Sequence, residues 1–325
     1  MTSHRRPPRT LTTPALGPVL GPVLTAALIT GLLAGCSDSA SRGEKLAERA
    51  PTPTATPTLP VEREESAQIG SYVALGDSFT AAPLVTAPAD DDGCLRSTNN
   101  YPTLVAEALG ADLEDRSCGG AETGNLTAPQ RTFAGTVPAQ LGALDADTDL
   151  VTMGIGGNDF GVFATLVRCA ELGVDDPDGA PCTERFGDAG AAELDQQLAI
   201  IGERLTASIE KVRRRAPDAE IVVVGYPRVI PPAASCPELL PLASGDRDLV
   251  AGLNRRLAAV QRQVARETDV RHVDLYAASA SHDVCSEEPW VNGRATVPGH
   301  ALAYHPLATG QRAAARLVLD AVEQD

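Results

Sequence analysis

Ser78, Gly120, Asn158 and His305 have between them the groups needed to open an acyl bond, and they are spread over most of a 325-residue chain. Acyl transfer requires a nucleophile, a base to take its proton, and hydrogen-bond donors aimed at the oxyanion. Ser78 follows the apolar run "YVAL" in the turn Gly76-Asp77-Ser78 and offers both a hydroxyl and its own backbone N–H. In "RSCGGAETGN", Gly120 can bring a second N–H close, because a missing side chain lets the backbone approach a substrate. In "GIGGNDF", the carboxamide of Asn158 can supply a third donor. Of the five histidines, His4 falls in the leader and His272 reads as a packed strand residue, which leaves His282, His300 and His305. His305, in "AYHPLATGQ", has the best setting for a base: a loop just before the last helix, stiffened by Pro306. Taken singly, Gly120 reads more readily as a turn glycine and Asn158-Asp159 as an ordinary strand-to-helix cap. Asp77 is assigned a structural part, hydrogen-bonding around the nucleophile turn.

These residues need a frame that brings them together. Five short runs read as strands: 72–75, 111–117, 149–155, 220–226 and 270–276. Between and around them, apolar residues recur at helical intervals from Leu194 to Val212 and from Leu249 to Val264, with further helices at 102–109 and 311–322. Strands alternating with helices, and runs such as "IVVV" with no polar alternation, predict an α/β fold with a parallel sheet covered on both faces. Ligands of such sheets sit beyond the carboxyl ends of the strands. Ser78 directly follows the first strand and Asn158-Asp159 the third, so both motifs fall at that edge. The insertions at about 160–192, 228–246 and 277–300 read as loops around it.

Composition sets the surroundings. Arg5, Arg6 and Arg9 precede a low-charge stretch ending in Leu33-Ala34-Gly35-Cys36, which has the form of a lipobox: a leader over 1–35, with Cys36 as the acylated residue. Residues 36–66 are small, polar and proline-rich, with "PTPTATPTLP" at their centre, and read as an extended spacer. One domain is expected over 67–325. The formal charge is −16, and loss of the three leader arginines takes it to −19, which argues against nucleic acid or anionic lipid surfaces as partners. Besides Cys36, six cysteines remain (Cys94, Cys118, Cys169, Cys182, Cys236 and Cys285), an even number that suggests three disulfides among 15 possible connectivities. None forms a CxxC pair and no His/Cys cluster has zinc spacing, so no metal site is expected.

In order along the chain, Gly76-Asp77-Ser78-Phe79, Gly120, Gly156-Gly157-Asn158-Asp159 and His305-Pro306 resemble the four blocks of the SGNH (GDSL-type) hydrolase family, in particular its secreted actinobacterial esterase and lipase branch. The resemblance spans about 71–311. It implies a flavodoxin-like three-layer α/β/α sandwich on a five-stranded parallel sheet, serine esterase or lipase chemistry without a cofactor, and the pairs Cys94–Cys118, Cys169–Cys182 and Cys236–Cys285. Two positions depart from the family pattern. Phe79 stands where the name-giving motif has Leu, and Leu302 stands where many members carry an Asp three residues before the histidine. The backbone carbonyl of Leu302 is therefore expected to orient His305, with Asp283 or Asp159 reaching it from another loop as the alternatives. The expectation is a monomeric extracytoplasmic esterase or lipase, held to the membrane by its lipid or secreted, acting on a small-molecule or lipid ester. Competing readings are a carbohydrate O-deacetylase of the same fold, against which the aromatic content of 3% counts mildly, and a lipoprotein that binds a ligand without catalysis.

Overall fold

Side chains alternating between two faces of the central strands set the architecture. In the computed structural model, which describes residues 69–323, the first elements are β1 (Ser71–Gly76), α1 (Ser78–Ala81), α2 (Tyr101–Leu109) and β2 (Asp112–Asp115). A short hairpin follows, β3 (Gln130–Arg131) and β4 (Thr136–Val137), then β5 (Leu150–Gly154), α3 (Val162–Asp175) and α4 (Pro181–Arg215). The chain continues through β6 (Glu220–Val224), α5 (Arg247–Glu267), β7 (Arg271–Val273), α6 (Leu275–Ala278) and α7 (Ala308–Val322). The expected leader, Cys36 and the spacer to residue 66 lie outside the described residues. Among the described residues no helix is long and apolar enough to cross a membrane.

All five expected strands are present and form one parallel sheet in the order β2-β1-β5-β6-β7. Successive residues of a strand point to opposite faces, and the core divides accordingly. Val73, Leu75, Val151, Met153 and Val223 face α4 and α5, packing on Ile201, Leu205 and Leu253. Tyr72, Ala74, Leu150, Val222 and Val224 face α2 and α7, packing on Val105, Ala314 and Val318. Two helical layers on one sheet make the three-layer α/β/α sandwich. Burial on both faces explains why β5 and β6 carry no polar alternation. β2, at the sheet edge with burial pattern exposed-intermediate, is the weakest run in the sequence for the same reason.

The expectation of loops over 160–192 is corrected. Most of that stretch is helical: α3 occupies 162–175, and α4 begins at 181. Val162, Leu166, Cys169, Ala170 and Gly173 are its buried positions, a helical spacing in which a cysteine, an alanine and a glycine replace the larger apolar residues that make such a stripe conspicuous. Within α4 the backbone leaves helical values at Gly187 (φ 55°, ψ −171°), which separates the cysteine-bearing first turns from the long amphipathic part. The insertions at 228–246 and 277–300 are largely irregular, as expected.

The three disulfides are Cys94–Cys118, Cys169–Cys182 and Cys236–Cys285. The first ties the segment before α2 to the loop that carries Gly120. The second joins α3 to the start of α4, and the third joins the two irregular insertions to each other.

Candidate active site

Ser78 is held by the turn that closes β1. Asp77 caps α1, its Oδ1 accepting the Phe79 N–H at 2.9 Å, and the Asp77 N–H donates to the Gly154 carbonyl at 3.0 Å. Ser78 is the first residue of α1, where a backbone N–H has no intrahelical acceptor. Its Oγ lies 2.8 Å from His305 Nε2, across 227 residues of sequence. The two side chains are nearly buried, at 6% and 7% exposure.

His305 Nδ1 lies 2.8 Å from the Ala303 carbonyl oxygen. A carbonyl can only accept, so Nδ1 carries the proton and Nε2 presents its lone pair to the Ser78 hydroxyl. The expectation that Leu302 supplies this carbonyl is therefore corrected by one residue. Tyr304 takes φ 59°, and the turn it makes brings the oxygen two residues before His305, rather than three, against the ring. The Leu302 carbonyl instead accepts from Asn292 Nδ2 at 2.9 Å and from the His305 N–H at 3.3 Å. The two alternative carboxylates are engaged elsewhere. Asp283 Oδ1 accepts the Cys285 N–H at 3.0 Å. Asp159 accepts from the Thr123 N–H at 2.8 Å, from the Thr123 hydroxyl at 2.5 Å and from Arg204 at 2.8 Å. Burial pushes the His305 imidazole down to about 4, only partly offset by its bond to the Ala303 carbonyl. Phe79 and Phe163, each with its ring centroid 5.0 Å from that of His305, supply the apolar surroundings.

Among the described residues the other histidines are not brought to Ser78, and His4 lies outside them. His272 is in β7, as expected, and His282 is stacked on Trp290 at 4.5 Å, with Nδ1 against the Glu288 carbonyl at 2.7 Å. His300 is exposed and lines a separate hollow with Trp290 and Thr309.

Gly120 and Asn158 reach the same place from two further loops. With Ser78, His305 and Phe163 they line an open cleft of about 410 Å³ at the carboxyl ends of the strands. Gly120 has φ 75°, a left-handed conformation that glycine adopts without steric cost. Asn158 Nδ2 donates one hydrogen to the Ala121 carbonyl at 3.0 Å, which orients the amide and leaves its second hydrogen unused by that bond. The Asp159–Thr123 bonds staple the Asn158 loop to the Gly120 loop directly. Arg131, Thr132 and Phe133 of the β3–β4 hairpin form part of the cleft wall, with Phe133 80% exposed at the tip.

Sequence reasoning did not single out Ala303, Phe163, Thr123, Arg204 or Tyr226. Ala303 acts through its backbone and carries no residue-type signal. Tyr226 could have been found: it ends the run "EIVVVGY" at the same strand edge as Ser78 and Asn158. Its hydroxyl donates to Asp77 Oδ2 and accepts the Gly157 N–H at 2.7 Å. Burial raises the Asp77 carboxyl to about 7, while the bonds from Tyr226 and Phe79 work in the opposite direction.

A family model described as the GDSL-like Lipase/Acylhydrolase family matches residues 74–313. The chain is 38% identical to Lipase 2 of Streptomyces coelicolor over 283 residues, covering 83% of this chain and 88% of that protein. It is 32% identical to an esterase of Streptomyces scabiei over 247 residues, covering 66% of this chain and 72% of that protein. Among solved structures, a phospholipase A1 from Streptomyces albidoflavus and an extracellular lipase from Streptomyces rimosus each superpose with a TM-score of 0.61 at 28% identity, covering 78% of this chain and 99% of theirs. A sheet order, four ordered motifs and relatives of this similarity agree: the chain belongs to the GDSL-like lipase/acylhydrolase family and is a carboxylic ester hydrolase.

Proposed function

We propose that the protein hydrolyses acyl esters outside the cytoplasm, with Ser78 as nucleophile and His305 as its base. The observation that carries this reading is the 2.8 Å approach of His305 Nε2 to Ser78 Oγ at the floor of a cleft also lined by Gly120 and Asn158. His305 takes the hydroxyl proton as Oγ bonds to the ester carbonyl carbon. The N–H groups of Ser78 and Gly120 and the Asn158 amide hold the resulting oxyanion. The imidazolium then gives its proton to the departing alkoxide as the C–O bond breaks, leaving an acyl-serine and a free alcohol. Water, deprotonated by the same imidazole, releases the acid and restores Ser78. The Ala303 carbonyl dipole, rather than a carboxylate, faces the imidazolium during both steps.

Phe133, Phe163, Pro83, Leu95 and Leu302 give the cleft an apolar wall suited to an acyl chain, which favours esterase or lipase action over sugar deacetylation. All residues of this mechanism come from one chain, so a monomer suffices. The lipobox form around Cys36 and the proline-rich composition of the stretch to 66 fit a membrane-anchored or secreted enzyme. Hydrolysis of p-nitrophenyl esters of increasing acyl length tests the reading. Turnover that rises beyond acetate is expected, and a folded protein inert on every ester would remove it.

The base also sets a pH profile. Protonation of Nε2 removes the lone pair that accepts the Ser78 proton, so kcat/KM falls as the pH drops through the pKa of His305. With that value near 4, kcat/KM stays level from about pH 8 to pH 5 and declines only below. A pH–rate profile on a short-chain ester checks this. An acid limb near 7 would assign control to Asp77 instead.

A further inference from the structure

The nucleophile turn and the oxyanion loop belong to different strands, and two of the residues leading into Asn158 are glycines with no side chain to anchor them. A backbone bond from Asp77 to Gly154 aligns the strand ends, but the chain then runs through Gly156, at φ 118°, and Gly157 before reaching Asn158. We propose that the Tyr226 hydroxyl is the positioning group that holds Ser78 and Asn158 in catalytic register, an inference that rests on the roles given to those two residues above.

One oxygen atom makes the link. Tyr226, two residues beyond β6, donates to Asp77 Oδ2 and accepts from the Gly157 N–H at 2.7 Å. Asp77 immediately precedes the nucleophile and Gly157 immediately precedes the oxyanion amide. The other Asp77 oxygen is taken by the Phe79 N–H at 2.9 Å, so the carboxylate joins Tyr226 to the first turn of α1. Gly157 is what permits the approach: a Cβ there would lie 3.0 Å from Tyr226 Cζ and Oη. The ring works on the base as well. Its edge meets Phe79 with centroids 5.1 Å apart, and Phe79 in turn lies against His305. Asp77 is 1% exposed and Tyr226 5%, so water is poorly placed to replace either bond.

Loss of the hydroxyl would leave a buried N–H and a buried carboxylate oxygen each short of a partner. The two-glycine turn is the segment free to move in response. Misplacement of a reacting group by about 1 Å can cost about 10²-fold in rate, and the oxyanion donors act on charge that develops only in the transition state. The link should therefore be read in kcat and not in KM.

The test is Tyr226→Phe, which keeps the ring in its packing against Gly157 and Phe79. Activity on a short p-nitrophenyl ester is expressed per active site, counted with a fluorophosphonate that labels Ser78. The expected result is a kcat lower by about 10–10²-fold with KM within about twofold of the parent. Tyr72→Phe is the control: it removes a buried hydroxyl bonded to Thr152 at 2.8 Å within the sheet, and should lower Tm while leaving kcat per site unchanged. Combined with Asn158→Ala, Tyr226→Phe should cost less than the product of the two single losses, because it acts through the Asn158 loop. Asp77→Asn keeps an acceptor for the Phe79 N–H, alters only the atom facing Tyr226, and reads the same link should the phenylalanine variant not fold. Parental kcat in Tyr226→Phe, or in Asp77→Asn where the phenylalanine variant does not fold, in a protein silenced by Ser78→Ala, overturns the inference and leaves the proposed function standing. A parent inert on every ester overturns both.

Discussion

Ser78→Ala lowers kcat/KM for ester hydrolysis by about 10⁴–10⁶-fold, and His305→Ala does the same, because nucleophile and base act as one unit in serine hydrolases. For that reason the double variant is no slower than either single one. The substitution at 78 is well suited to isolate chemistry from folding. Ser78 Oγ makes its bond to His305, while the cap of α1 is supplied by Asp77 and the turn is held by the Asp77–Gly154 backbone bond. Alanine at 78 thus removes the proposed attacking atom and keeps the Asp77 cap and the Asp77–Gly154 bond that hold the turn. Initial rates with a p-nitrophenyl ester, together with Tm and fluorophosphonate labelling, make the comparison. A Ser78→Ala protein with parental Tm and undiminished turnover would mean that the 2.8 Å pair is a structural hydrogen bond and that the nucleophile lies elsewhere.

What the sequence allows to be read, and what it does not, follows from how each feature is encoded. The sheet is legible because burial on both faces requires continuous apolar runs, and "YVAL" and "IVVV" meet that requirement. From the sheet follows the meeting of Ser78 and Asn158, since parallel strands deliver their following residues to one edge. α3 is not legible, because three of its five buried residues are Cys169, Ala170 and Gly173, whose small side chains give a weak periodic signal. The orienting group on His305 is illegible in principle. Any residue has a carbonyl, and the difference between Leu302 and Ala303 is a matter of the Tyr304 backbone conformation. The pairing of the cysteines likewise depends on where loops end in space, and it was the family resemblance, not the spacing, that implied it. Tyr226 is an intermediate case. Its position at a strand end is visible, while its double hydrogen bond depends on Gly157 being close enough to reach.

Asn158→Ala is expected to lower kcat by about 10²–10³-fold, equivalent to about 2.7–4 kcal/mol of transition-state stabilisation. The amide donor gains its value only as negative charge builds on the carbonyl oxygen, so KM should move little. The loss stops short of that for Ser78→Ala, since the substitution leaves the Ser78 and Gly120 N–H groups, the other two proposed oxyanion donors, in place. Collapse of the loop is not expected to contribute. The Gly161 N–H still bonds to the residue 158 carbonyl at 3.0 Å, and Asp159 keeps its bonds to Thr123 and Arg204. Asn158→Asp provides the sharper contrast. It has nearly the same shape, replaces the donor by an acceptor, and places a negative charge against both the oxyanion and the Ala121 carbonyl. If Asn158 is an oxyanion donor, kcat for Asn158→Asp at neutral pH falls below that for Asn158→Ala, and lowering the pH through the carboxyl pKa recovers part of the difference while the neutral acid can again donate. Equal kcat values for alanine and aspartate across that pH range would show that the side chain at 158 acts only by shaping the loop.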